Sequence, residues 1–256
     1  MTTPLKRLFL RASCVLLVST VIPDRSATIV FAQEAQVPRI VELEISFSKG
    51  MQTRFGKPIE EDPAKIVKVM YRNVEVKYKR QGNPEVKPDV PFLAGDDWFN
   101  DLSVVVKNLS SKKIVFAGIQ VDFPQTGDGS RLHPIVGDQS SVGQMPENGL
   151  YSGITGRKLT EPVRDPILLE PGAEVTIPVI SRDLDNDHRS SVKAMLEARL
   201  PLSKVTTCLI GLRDFYFEDG TRWSHGTYYR PTGVPGKFVV IPIEEFNGHP
   251  TKEDSQ

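Results

Sequence analysis

The chain has 256 residues, with 32 Lys and Arg against 32 Asp and Glu, 39% apolar and 25% charged. That composition is globular and excludes a disordered polymer, and zero net charge excludes the basic excess that holds nucleic acid. The length fits one large or two small domains.

Residues 1–32 read as a signal peptide. Lys6, Arg7 and Arg11 form a basic start, residues 12–22 are largely apolar, and Val30-Phe31-Ala32 offers small enough residues at a cleavage site. The apolar run is shorter than the roughly 20 residues that cross a bilayer. A secreted or periplasmic protein starting near Gln33 is expected, with no transmembrane span in the mature chain. Cleavage would remove Cys14 and leave Cys208 alone, so no internal disulfide is expected. Cys208 lies in the apolar run VTTCLIGL and reads as a small buried hydrophobe, not a nucleophile.

In chain order, Val41, Leu43, Ile45 and Phe47 alternate with polar residues and predict a half-buried first strand. Residues 50–65 are polar and predict a loop. Val67, Val69 and Tyr71, then Val74, Val76 and Tyr78, predict a hairpin around Arg72-Asn73, with lysines guarding its exposed side. After a Pro-containing connector at 83–95, residues 101–123 predict the central hairpin. Leu102, Val104 and Val106 share one face of its first strand. Val115, Ala117, Ile119, Val121 and Phe123 share one face of the second. An apolar face of that size requires a second sheet to cover it.

Residues 124–166 are rich in Gly and Pro with little periodicity, and predict a long irregular loop, the first place to look for binding. Pro171-Gly172 predicts a tight turn into a strand at 174–180, where Pro178 marks an edge or a bulge. One helix is predicted over 186–199, with Val192, Met195, Leu196 and Leu200 at helical spacing and Pro201 as its stop. Residues 205–217 predict a long central strand, apolar on both faces. Asp219-Gly220 predicts a two-residue hairpin loop, returning as a strand over 222–230. A short last strand at 238–243 precedes a polar tail at 247–256. No repeat or linker divides residues 39–246, so a single domain is expected.

The combination of an apolar strand ending in VKN, a long partner strand, a PG turn before VTIPV and a final hairpin resembles immunoglobulin-like β-sandwich modules of exported bacterial proteins. The resemblance covers about residues 100–230 and is one of fold type. It implies an all-β, immunoglobulin-like antiparallel β-sandwich with one short helix before the penultimate long strand. It implies no function and no site residues.

Signatures of chemistry are sparse. Asp183, Asp185 and Asp187 have the spacing that opens a calcium loop, but His188 stands in place of its turn glycine and Ala194 in place of its closing glutamate. An acidic helix start is the plainer reading, and the sequence leaves both standing. His133, His188, His225 and His249 show no metal-ligand spacing. No nucleophile elbow, phosphate loop, zinc motif or dinucleotide fingerprint occurs. No catalytic residue, cofactor or metal ligand is therefore assigned.

Phe215, Tyr216, Phe217, Trp223, Tyr228 and Tyr229 cluster in the last hairpin. Part of this group must be core, and the rest could offer a platform to a sugar ring or a protein. The candidate ligand-binding residues are Trp223, Tyr216, Tyr228 and Tyr229, with His133 and Tyr151 from the long loop. The expected function is a non-enzymatic protein-interaction module of the cell envelope or extracellular space. The alternatives are a carbohydrate-binding module using those aromatics, and a hydrolase with dispersed acids. Its partner would be an envelope or extracellular protein, or a glycan, and not nucleic acid.

Overall fold

A computed structural model of the chain describes residues 39–46, 62–80, 92–128, 135–151, 157–159, 164–181 and 186–248. The expected signal peptide, His133, and Asp183 and Asp185 of the calcium-like run lie outside these residues. So does the tail beyond Gly248.

The fold is an all-β sandwich of two sheets. The first strands are β1 (Arg39–Ser46), β2 (Ala64–Tyr71), β3 (Val74–Val76), β4 (Lys79–Arg80) and β5 (Phe92–Ala94). They are followed by β6 (Leu102–Asn108), β7 (Ile114–Phe123), β8 (Val136–Gly143) and β9 (Glu174–Pro178). Helix α1 (Asn186–Glu197) comes next. The chain then forms β10 (Thr207–Phe217), β11 (Arg222–Ser224), β12 (Thr227–Pro231), β13 (Phe238–Ile241) and the short α2 (Ile243–Phe246).

The smaller sheet has the order β3-β2-β6-β9. Its β2–β3 hairpin turns at Arg72 and Asn73, both with positive φ (49° and 65°), the mirror-image turn whose twist suits paired strands. β9 is an edge strand, so Pro178, which has no N–H to donate, sits where none is needed. The larger sheet is built around β10. Along one side β10 pairs antiparallel with β7, and β7 pairs with β8. Along the other, its first half pairs with β1 and its second with β11, which continues through β12 to β13. Most pairings are antiparallel, but β1 runs parallel to β10 and to β4.

Alternation places most of the core as expected. Leu102, Val104, Val106, Ala117, Ile119, Val121 and Phe123 are fully buried. Val115, expected with them, is only half-buried, because the β7–β10 register steps beside it and Ile114 takes the buried place. Trp98, Phe99 and Phe123 meet edge to face in the middle, with ring centroids 5.7–6.4 Å apart. Each large side chain removed from water there contributes about 1.5–3 kcal/mol.

Three expectations on connectivity need correction. First, β6 and β7 do not form a hairpin, because they belong to different sheets and the turn between them crosses the sandwich. Asn108, fully buried at the crossing, explains why. Its Nδ2 donates to Lys112 O (2.8 Å) and Leu169 O (2.9 Å), while its Oδ1 accepts from Ser110 N (2.9 Å). These bonds satisfy the corner amides locally and tie it to Leu169 instead of to a ladder between the two strands. Second, the expected irregular loop at 124–166 contains strand β8, paired with β7 along its whole length. β8 reads VGDQSSVG, and with only two valines it carries almost no apolar period. Third, Asp219-Gly220 is not a two-residue loop. Phe217 bonds Thr221 across it, and Gly220 takes φ +80°, giving a three-residue loop with glycine in the left-handed position. The two-residue loop lies later, at His225-Gly226 (φ 47° and 84°), and splits the expected 222–230 strand into β11 and β12.

Candidate functional site

The larger sheet has two working faces, and the last hairpins show both. Toward the core, Phe215 packs on Trp223 (5.5 Å between centroids), and Tyr228 stacks on Phe246 (4.3 Å). On the outer face, Asp214 and Tyr216 of β10 stand beside Arg222 and Ser224 of β11, following the cross-strand register.

A bulge in β10 shapes this outer face. The β7 register steps between Leu212 and Asp214, leaving Arg213 as an extra residue. Strict alternation would send neighbours Arg213 and Asp214 to opposite sides, yet here both line one cleft. Opposite them is Gly118, where an added Cβ would lie 3.4 Å from Asp214 O. Glycine keeps the floor low.

The cleft has a volume of about 370 Å³. Its floor is the outer face of β7, β8, β10 and β11, and its far wall comes from Met145, Gly149, Tyr151, Leu159 and Arg164. That wall is pinned at several points. Arg164 donates from Nη1 to Ser141 Oγ of β8, and its backbone N donates to Gln144 Oε1 (3.0 Å). Gly236 N donates to Asn148 Oδ1 (2.7 Å). Gly149 rests on the Tyr216 ring so closely that an added Cβ would lie 2.7 Å from Cζ.

The electrostatics centre on Asp214. Arg222 Nη2 and Nε reach its Oδ1 at 2.6 and 3.2 Å, and Arg213 Nε reaches Oδ2 at 3.1 Å. Burial pushes the Asp214 carboxyl up, but the Arg222 charge, the Ser224 hydrogen bond and Arg213 outweigh it, holding the group below its ordinary value. Burial lowers Arg213, and Asp214 offsets this in part. Both guanidiniums stay charged. Arg222 also lies 5.4 Å from the Tyr216 ring centroid and 5.9 Å from those of Tyr229 and Phe238, a cation framed by aromatic faces. His225 contacts Ser224 Oγ through Nδ1 (3.1 Å), and burial lowers its pKa, so it is neutral at neutral pH.

The expected ligand residues separate. Tyr216 and Tyr151 line the cleft, and Tyr229 borders it through Arg222. Trp223 and Tyr228 are corrections: both are buried in the core and present no ring face to a ligand. The expected aromatic platform is therefore not assembled. Sequence reasoning missed Arg164, Arg213, Asp214 and Arg222. One signal was present, the charged pair Arg213-Asp214 inside the otherwise apolar strand TCLIGLRDFYF.

Cys208 is fully buried, and burial alone pushes its thiol up, away from the thiolate a nucleophile needs. Among the described residues, no three His, Cys, Asp or Glu side chains converge on a metal site, and no helix is long and apolar enough to cross a membrane. Compared with models of protein families, with curated proteins and with solved structures, the chain matches none.

Proposed function

We propose that this protein is a non-enzymatic binding module of the cell envelope or extracellular space, an immunoglobulin-like sandwich that takes a segment of a partner protein into the outer cleft of its larger sheet. The observation that supports this reading is the way the cleft is built. A strand bulge turns two charged residues to one side, and a pinned wall of Met145, Gly149, Tyr151, Leu159 and Arg164 stands over them. Bulges of this kind recur beside sites where a side chain must be re-aimed. The one carboxylate in the lining is held ionised by two arginines, which suits it to positioning them and not to giving or taking protons. Export rests on the basic and apolar pattern of residues 1–32.

The test is photo-crosslinking in cells, with the crosslinking amino acid at Leu159 beside the cleft or, as a control, at Lys68 on the outer face of the smaller sheet. A discrete protein captured from position 159 and not from position 68 is expected. The same background from both positions would overturn the proposal.

A further inference from the structure

Arg213 is unusual among the cleft residues. Its side chain keeps 28% of its exposure, and only its Nε is engaged, by Asp214. Its two terminal nitrogens bond nothing among the described residues. Arg222 spends Nε and Nη2 on Asp214, with Nη2 also donating to Ser224 Oγ at 3.2 Å. Two guanidiniums therefore share one carboxylate, leaving about one positive charge without a partner in this cluster. The terminal nitrogens of a guanidinium form a planar fork that matches the two oxygens of a carboxylate. Apart from polar groups on β8 and Arg164, the accessible wall is an apolar stretch of Met145, Tyr151 and Leu159, while Phe116 and Tyr216 are almost fully buried. A volume of about 370 Å³ falls at the small end of ligand clefts, which span roughly 300–1,000 Å³.

We propose that the cleft binds a monocarboxylate carried on an apolar body, with the terminal nitrogens of Arg213 gripping the carboxylate and the wall of Met145, Tyr151 and Leu159 holding the body. Asp214 serves as a positioning residue: it fixes Arg213 through Nε and leaves the fork pointing outward. It also disfavours dianions such as phosphate, which would bring a second negative charge against it. The carboxylate could come from the C-terminal residue of a peptide or from a free organic acid. Only the first source rests on the partner-binding reading above.

The experiment is calorimetric titration of the purified full chain at fixed ionic strength with four probes. These are 3-phenylpropionate, its amide, the peptide Ala-Ala-Phe with a free carboxylate, and the same peptide amidated. At least one acid is expected to bind, with its amide about tenfold weaker or worse, the loss of one charge-assisted bidentate contact. Arg213→Gln should lose about tenfold while still unfolding in one cooperative transition, and Arg213→Lys, which keeps the charge but not the fork, should fall between. Equal binding of acid and amide, or full binding by Arg213→Gln, would overturn the site, as would no binding by either acid at millimolar concentration. Binding of the free acid with none by the peptide would keep the site and remove this cleft from the partner reading. Binding of the peptide would support both.

Discussion

The two sides of strands β10 to β12 are held by different forces. Trp223 and Arg222 are adjacent in sequence, yet one is fully buried against Phe215 and the other stands in a charged cleft. The inner side is packing alone. Trp223 Nε1 has no hydrogen-bond partner among the described residues, so even its polar atom is spectator to the ring's volume. On the outer side, position matters more than volume, because Asp214, Arg222 and Ser224 aim one another. Strict period two creates such a division, and the bulge at Arg213 is what concentrates charge on one side of it.

Substitutions on the two sides should separate cleanly, the largest effect coming from the core. Trp223→Ala should lower stability by about 3–5 kcal/mol, the range for removing a buried aromatic ring. Trp223→Phe should lose much less, since the indole N–H it discards has no partner. Chemical denaturation checks both, and a mild Trp223→Ala would break the division.

Asp214→Asn comes next, at about 2 kcal/mol. This is less than the ~3–5 kcal/mol for splitting a fully buried pair, because Arg213 and Arg222 keep 28% and 30% exposure. Acid should reproduce it. Asp214 has a depressed folded-state pKa, so its contribution is fully present above the ordinary carboxylate value of 3.8 and is lost as pH falls through the folded value. The stability gap between the native chain and Asp214→Asn should close on acidification, measured by denaturation at neutral pH and at the acid limit of folding. A gap that widened would mean that Asp214 is not held as described.

Gly236→Ala should cost about 1–2 kcal/mol. Its φ is +71°, and an added Cβ would lie 2.5 Å from Tyr151 Cβ. Hydrogen exchange should quicken at residues 148–151, where the cleft wall is pinned. Gly172→Ala is the matched control, with φ +79° but nothing within 4 Å of the new Cβ, and should cost about 1 kcal/mol without touching the cleft.

What the sequence disclosed follows the same division. The inward sets on β6 and β7, the Arg72-Asn73 and Pro171-Gly172 turns, the edge position of Pro178 and the helix ahead of β10 were all legible, because period and punctuation are local signals. The aromatic platform failed through one residue of register. A two-residue loop at Asp219-Gly220 sets Tyr216 opposite Trp223 and puts both on one face. The three-residue loop sets Tyr216 opposite Arg222 and Phe215 opposite Trp223. A slip of one residue exchanges the faces of a strand. β8 was hidden because Ser140 and Ser141 are buried in it, where an apolar residue would have marked the strand. The cleft itself draws on residues 164, 213 and 222, brought together by pairing and by a bulge that leaves no mark in composition.

The parallel pairing of β1 with β10 has a consequence for how the chain acquires its structure. Leu43 in the first described strand lies opposite Cys208 in the tenth. The β1–β10 pairing can form only after every described strand up to β9 has been made, so the larger sheet cannot be completed in chain order from β1. High contact order of this kind slows folding, because loop closure must precede the reward of pairing. Refolding should accordingly be slow for the chain's size. A nascent chain stopped before β10 would leave β1 with only its short partners β4 and β5.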